Sequence, residues 1–259
     1  MKILSCSDLT KIFRSQQGDV LALDGVTFSV EDSEFISLIG PNGCGKTTLL
    51  KLIAGLNQPT SGNISIATPE ADTHLPAVMV FQDHGLFPWM TVQANVAFSL
   101  EMQGISARQA QDRARALVEQ LGLGEFTHSY PHQLSGGMCQ LTALGRAFLA
   151  NSSLLLMDEP FRALDAQVRY LLQEELLRLW QAQNKVILYV THDISEAVLL
   201  SDRILVMSGR PGHIREQIHI PFQRPRQLRG RDASAAAEIE AKIWSIMEKD
   251  VRLNLKVPK

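Results

Sequence analysis

The run GPNGCGKTT at residues 40–48 constrains the fold more than any other stretch of this 259-residue chain. It fits the pattern G-x-x-x-x-G-K-[ST], a loop whose backbone N–H groups cradle the phosphates of a nucleotide. Gly40, Gly43 and Gly45 allow the tight path that turns consecutive N–H groups inward at an anion. Pro41, Asn42, Cys44 and Thr48 complete the loop. In such a loop Lys46 reaches the β- and γ-phosphates, and the Thr47 hydroxyl binds Mg²⁺. EFISLIG (34–40) is apolar and strand-like, and TTLLKLIAG (47–55) carries its apolar residues at helical spacing. The context is therefore strand, loop, helix, with the positive end of the helix behind the anion.

Further strands are predicted at 3–13, 20–30, 77–82, 153–158, 185–191 and 203–207, several of them almost wholly apolar. Such runs suit strands buried on both faces of a mainly parallel sheet. Helices at 47–55, 166–183 and 193–200 alternate with them, which defines an α/β core. The stretch from about 92 to 147 reads differently: SARQAQDRARALVEQLGL (106–123) and SGGMCQLTALGRAFLA (135–150) are helical, so a helical insert interrupts the sheet. After about 215 the signals weaken. QRPRQLRGRD (223–232) reads as a polar connector, and 233–250 as a final helix. The arginines at 224, 226, 229 and 231 either meet anionic lipid or a partner or, as is commoner in such linkers, are solvated.

The net charge of -2 argues against general nucleic-acid binding, which leaves a basic excess. Cys6, Cys44 and Cys139 are odd in number and lack metal-ligand spacing, as expected of a reduced compartment. Cys44 is read as an ordinary loop residue, although its oxidation would block the loop. No apolar run reaches the roughly 18–20 residues that cross a bilayer, and the N-terminus lacks a signal-peptide core. The expectation is a cytosolic protein that meets a membrane only through a partner.

LLLMDEP (154–160) ends a buried strand on two carboxylates, and strand ends in α/β sheets face the ligand crevice. Asp158 suits Mg²⁺, which prefers oxygen ligands and keeps several waters. Glu159 is then the group to orient and deprotonate a water attacking the γ-phosphate. His192 follows another apolar strand, where an imidazole would hydrogen-bond the γ-phosphate; taken alone, such a histidine is more often structural. Gln82 offers a carboxamide to Mg²⁺ or water. Leu86, Phe87, Pro88 and Trp89 form an apolar patch that is either core or a docking surface. Phe13 is a core aromatic or a stacking platform for a base. LSGGM (134–138) supplies Ser135 as a helix N-cap, followed by Gly136 and Gly137, a second anion-binding helix terminus. Two such termini suggest a nucleotide shared between subunits.

In these motifs the chain resembles the ATP-binding subunits of ABC transporters. GPNGCGKTT is similar to Walker A, Gln82 to the Q-loop residue, LSGGM to the ABC signature, LLLMDE to Walker B, ALD (163–165) to the D-loop and His192 to the switch histidine. The resemblance implies an ABC-type P-loop ATPase with an N-terminal antiparallel β subdomain and the helical subdomain inserted at about 92–147. It places the ATPase domain at 1–220 and a C-terminal linker and helix at 221–259. It further implies ATP and Mg²⁺ as cofactors and a head-to-tail dimer. In that dimer Ser135, Gly136, Gly137 and Asp165 of one subunit complete the site of the other. Phe13 then stacks on adenine, and the segment after Gln82 meets a permease. VFQDHGLFPWMTVQANVAF and the late IWSIMEKD are similar to the nitrate/sulfonate/taurine importers, which include bicarbonate importers. That branch implies two membrane-spanning permease chains, an external solute-binding protein and a place at the cytoplasmic face of the inner membrane.

The chain departs from the family's pattern at three places. Met138-Cys139-Gln140-Leu141 stands where arginines usually follow the signature, Arg162 precedes ALD where a small residue is usual, and Gly145 replaces the commoner alanine. The glycine should weaken its helix by somewhat under ~1 kcal/mol. These changes suit pairing with a different ATPase subunit, or a regulatory subunit that hydrolyses weakly. A soluble non-transport ABC ATPase is a third reading, disfavoured by the lack of a coiled-coil insert or second ATPase domain. The transported solute is not legible.

Overall fold

The structure is a computed structural model, and it describes residues 1–259 apart from 17, 68–74, 227, 229 and 255–259. The chain divides into two compact units, Met1–Ala67 with Val186–Lys259, and Thr68–Lys185.

The first unit holds two sheet systems. Strands β1 (Lys2–Phe13), β2 (Val20–Glu31) and β4 (Ser61–Ile66) form an antiparallel sheet in the order β2-β1-β4. Strand β3 (Phe35–Ile39) pairs in parallel with β7 (Val186–Val190) and β8 (Arg203–Met207), and β9 (Ile214–His219) runs antiparallel to β8. β3 and β7 are buried at every position, which explains their largely apolar sequences. Helix α1 (Lys46–Ile53) leaves the phosphate loop, and α6 (Ile194–Leu200) follows β7. The last helix, α7 (Ala233–Asn254), lays Ala236, Ile243 and Met247 on a core of Ile39, Val198, Ile204, Val206 and Ile218.

The second unit pairs β5 (Val78–Val80) in parallel with β6 (Leu154–Asp158). It also holds α2 (Val92–Met102), α3 (Ala107–Gln120), α4 (Gly136–Leu149) and α5 (Ala166–Gln183). Side-chain caps start each of these helices: Thr91, Ser106, Ser135 and Asp165 accept from free backbone N–H groups. Gly145 has a packing reason. A Cβ there would lie 2.9 Å from Leu121 Cδ1 and 3.3 Å from Val96 Cγ2, so the glycine admits these neighbours against α4.

The connector departs from its expected solvation at two arginines, while the Arg231 side chain stays 59% exposed. Arg226 has a side chain only 1% exposed and donates to the carbonyls of Val198 and Leu199 at 2.9 Å, capping the end of α6. Arg224 pairs with Asp202 and bonds the Leu200 carbonyl at 2.5 Å. These two arginines hold the connector to the first unit instead of facing solvent or lipid. The arginine at 229 lies outside the described residues.

Candidate nucleotide site

The phosphate loop follows β3 and bends as its glycines permit, with φ of +75° at Gly43 and +107° at Gly45. An L side chain in that region is strained, and a Cβ on Gly45 would also come within 2.6 Å of Leu23 Cδ2. Lys46 is 6% exposed, and its Nζ donates to the carbonyls of Gly40 at 2.8 Å and Pro41 at 3.2 Å. Its ammonium is thereby held over the loop, while Asn42, Gly43 and Thr47 lie exposed and Thr48 is half-buried. A loop narrowed by glycine, carrying one buried cation and an exposed hydroxyl, fits a nucleotide's phosphates with their magnesium. Cys44 is 1% exposed, and burial pushes its thiol up. That opposes thiolate reactivity and suits its reading as an ordinary loop residue.

His192 follows β7 and is exposed. It lines a cavity of about 670 Å³ together with Gly40, Pro41, Asn42, Gly43, Arg210 and Trp244, so the fold brings the histidine beside the loop. Arg210, just past the end of β8, and Trp244 on α7 also line it, and no phosphate-binding motif marks either as part of the site. Their positions depend on tertiary packing that no motif announces. Phe13 is 42% exposed at the end of β1, with Lys11 Nζ 5.1 Å from its ring centroid, and it does not line that cavity.

The second unit carries the remaining candidates. Asp158 ends β6 with 8% exposure, and Glu159 follows at a φ of +45°. The Glu159 carboxylate receives a charge-assisted hydrogen bond from Arg162 Nη1 at 3.3 Å. Ser135 Oγ accepts from Met138 N at 3.3 Å, and Asp165 Oδ1 accepts from Gln167 and Val168 N at 3.0 Å. Both therefore serve as caps in the fold. Gly136 and Gly137 open α4, and a Cβ on Gly137 would stand 2.8 Å from Val168 Cγ1. Glycine at 137 thus lets the starts of α4 and α5 approach.

Gln82 lies exposed two residues beyond β5, on the segment that carries the apolar patch. That patch is partly anchored and partly open. Asn95, fully buried, accepts from Phe87 N at 2.8 Å and donates to the carbonyls of Phe87, Met90 and Thr91 at 3.1 Å. Phe87 packs against Phe98 at 4.6 Å between ring centroids, with the Arg146 guanidinium 5.4 Å from its centroid. Trp89 remains 69% exposed.

The profile of the family described as ABC transporter matches residues 23–162. The chain belongs to the ABC transporter family. It is 43% identical over 262 residues to an uncharacterized ABC transporter ATP-binding protein of Methanocaldococcus jannaschii, covering 99% of this chain and 96% of that relative. It is 43% identical to the nitrate import ATP-binding protein NrtD of a Synechocystis strain, over 84% of this chain and 82% of the relative. It is also 40% identical to the aliphatic sulfonates import ATP-binding protein SsuB of Bacillus cereus, over 95% and 96%. Among solved structures, an ATP-binding cassette captured as a dimer after hydrolysis with ADP and Pi superposes at a TM-score of 0.73 with 28% identity, covering 85% of this chain and all of that one. The fold is the ABC P-loop ATPase fold, and the chain is an ATP hydrolase that uses ATP and Mg²⁺. Among the described residues, no helix is long and apolar enough to cross a membrane.

Proposed function

We propose that this chain is the ATP-hydrolysing subunit of an importer for a small solute such as nitrate, bicarbonate, sulfonate or taurine. It works in pairs at the cytoplasmic face of the inner membrane, with two membrane-spanning permease chains served by an external solute-binding protein. The observation that carries the reading is the glycine-shaped loop with its buried Lys46 and the neighbouring His192. The nitrate and sulfonate import relatives support the solute class. Exposed Trp89, on a loop anchored by Asn95, supports permease docking through the 86–89 patch. Helices α2–α4 are read as the family's helical subdomain, and 221–259 as its C-terminal linker and helix.

In this reading the loop N–H groups and Lys46 bind the phosphates, and Phe13 stacks on adenine. Thr47, Asp158 and Gln82 supply oxygens for Mg²⁺, whose role when bound is to neutralise phosphate charge. Glu159 takes the proton of the attacking water, and His192 donates a hydrogen bond to the γ-phosphate. Ser135, Gly136, Gly137 and Asp165 complete the partner subunit's site. Glu159→Gln should retain ATP binding while turnover falls by about 10²–10⁴-fold. Lys46→Ala should lose affinity itself in a nucleotide titration. Near-normal hydrolysis by the glutamine variant would remove Glu159 from the role of base.

A further inference from the structure

We infer that Arg162 is a positioning residue that restrains hydrolysis by holding the carboxylate of Glu159. This rests on the reading of Glu159 as the base. Four observations converge on the pair. Arg162 directly precedes Ala163-Leu164-Asp165, and its Nη1 lies 3.3 Å from Glu159 Oε2. The two ends of the contact differ, with the Arg162 side chain 52% exposed and that of Glu159 11% exposed. The backbone also binds the segment into a turn, with Arg162 N donating to the Glu159 carbonyl at 3.2 Å. Glu159 itself sits at a φ of +45°, a conformation that a non-glycine residue keeps only when its surroundings impose it.

The chemical consequence follows from what a base must do. In hydrolysis the water oxygen bonds to the γ-phosphorus, the bond to the bridging oxygen breaks, and ADP and phosphate leave. The water's proton goes to a carboxylate oxygen that needs a lone pair directed at it. An oxygen engaged by a guanidinium has a lone pair committed elsewhere, and the side chain is held toward the turn. Arg162 must release Oε2, or leave Oε1 alone to do the work, before the proton moves. A small residue at 162 imposes neither condition. The restraint is modest because the arginine is half exposed and the contact lies open to screening salt.

The test compares steady-state MgATP hydrolysis by the full-length wild-type chain, Arg162→Gln and Arg162→Lys, at low and high ionic strength. The glutamine variant should raise kcat about two- to fivefold with KM for MgATP unchanged, as expected on releasing a half-exposed ion pair. The lysine variant should lie between the two, since it keeps the charge without the fork. The ratio of Arg162→Gln to wild type should shrink toward one as salt rises, which a structural role for Arg162 would not produce. A kcat at or below wild type in Arg162→Gln, or a ratio insensitive to salt, overturns the inference. Should Glu159→Gln hydrolyse normally, the assignment of the base fails first and takes this one with it. An inactive Glu159→Gln beside an unchanged Arg162→Gln defeats the restraint alone.

Discussion

Gly212 bears on the phosphate loop from more than 160 residues away. Its N–H donates to the Ala22 carbonyl at 2.9 Å, and its carbonyl accepts from Asp24 N at 3.0 Å. A Cβ on it would stand 2.0 Å from the backbone oxygen of Cys44, inside the loop itself. Backbone cannot yield as a flexible side chain can, so Gly212→Ala should cost ~1–3 kcal/mol of stability and also weaken ATP affinity. Thermal denaturation and a nucleotide titration check the two effects, and unchanged affinity would show that the loop tolerates the shift. Gly40, Gly43 and Gly45 were legible because they stand in a motif whose chemistry explains them. Gly212 and Gly145 were not, because what forbids a side chain at each is a neighbour brought in by the fold. The same holds for Arg210 and Trp244 beside the loop. Motif spacing reports the groups that touch phosphate but is silent about the walls around them.

Elements with a clean period were legible, and those without one were missed. β3, β6, β7 and β8 are short and mostly apolar, and α3 and α5 are long enough for their pattern to dominate. The sequence sets α2 no bounds of its own within the helical region, because VQANVAFSLEM spreads its apolar residues around the axis instead of along a stripe. β4 is a mostly exposed strand with only two apolar residues, and β9 mixes charge with isoleucine, so pairing with β1 and β8 creates them more than their own composition does. α7 was visible as a helix, but its attachment was not. Asp250 near its end accepts from Gly209 N at 2.6 Å and pairs with Arg215 at 2.9 Å. Asp250→Ala leaves that N–H without its acceptor and should cost ~1–3 kcal/mol. Hydrogen exchange should then speed up in the last turns of α7, while the phosphate-loop strand β3 keeps its protection. Uniform acceleration everywhere would mean that the contact supports the whole unit.

At the scale of the molecule, one half-buried amine makes stability depend on pH. Lys185 Nζ donates to the carbonyls of Ala150 at 2.6 Å and Ser152 at 2.9 Å, and burial lowers its pKa from 10.5 to about 8. Between those values the unfolded chain keeps a proton that the folded chain has lost, so stability rises with pH across the window. Below about 8 both states are protonated and the full burial penalty stands, roughly 3 kcal/mol at most. Denaturant unfolding across this range should show that slope in the wild type and a flatter one in Lys185→Met. The slope is the readout, since methionine also strips two carbonyls of their donor. An identical slope in both proteins would place the titration elsewhere.

The discontinuity of the first unit has a consequence for synthesis. Residues 68–185 form one uninterrupted stretch, whereas the other unit is assembled from the two ends of the chain. β3 leaves the ribosome early, yet its partners β7 and β8 begin at residues 186 and 203. Domains form as units while the chain emerges. The inserted stretch can therefore fold during translation, while the nucleotide-binding strand waits with both edges unpaired. Such an edge invites pairing with other chains, so the interval before β7 appears is the period when this protein most needs protection from aggregation.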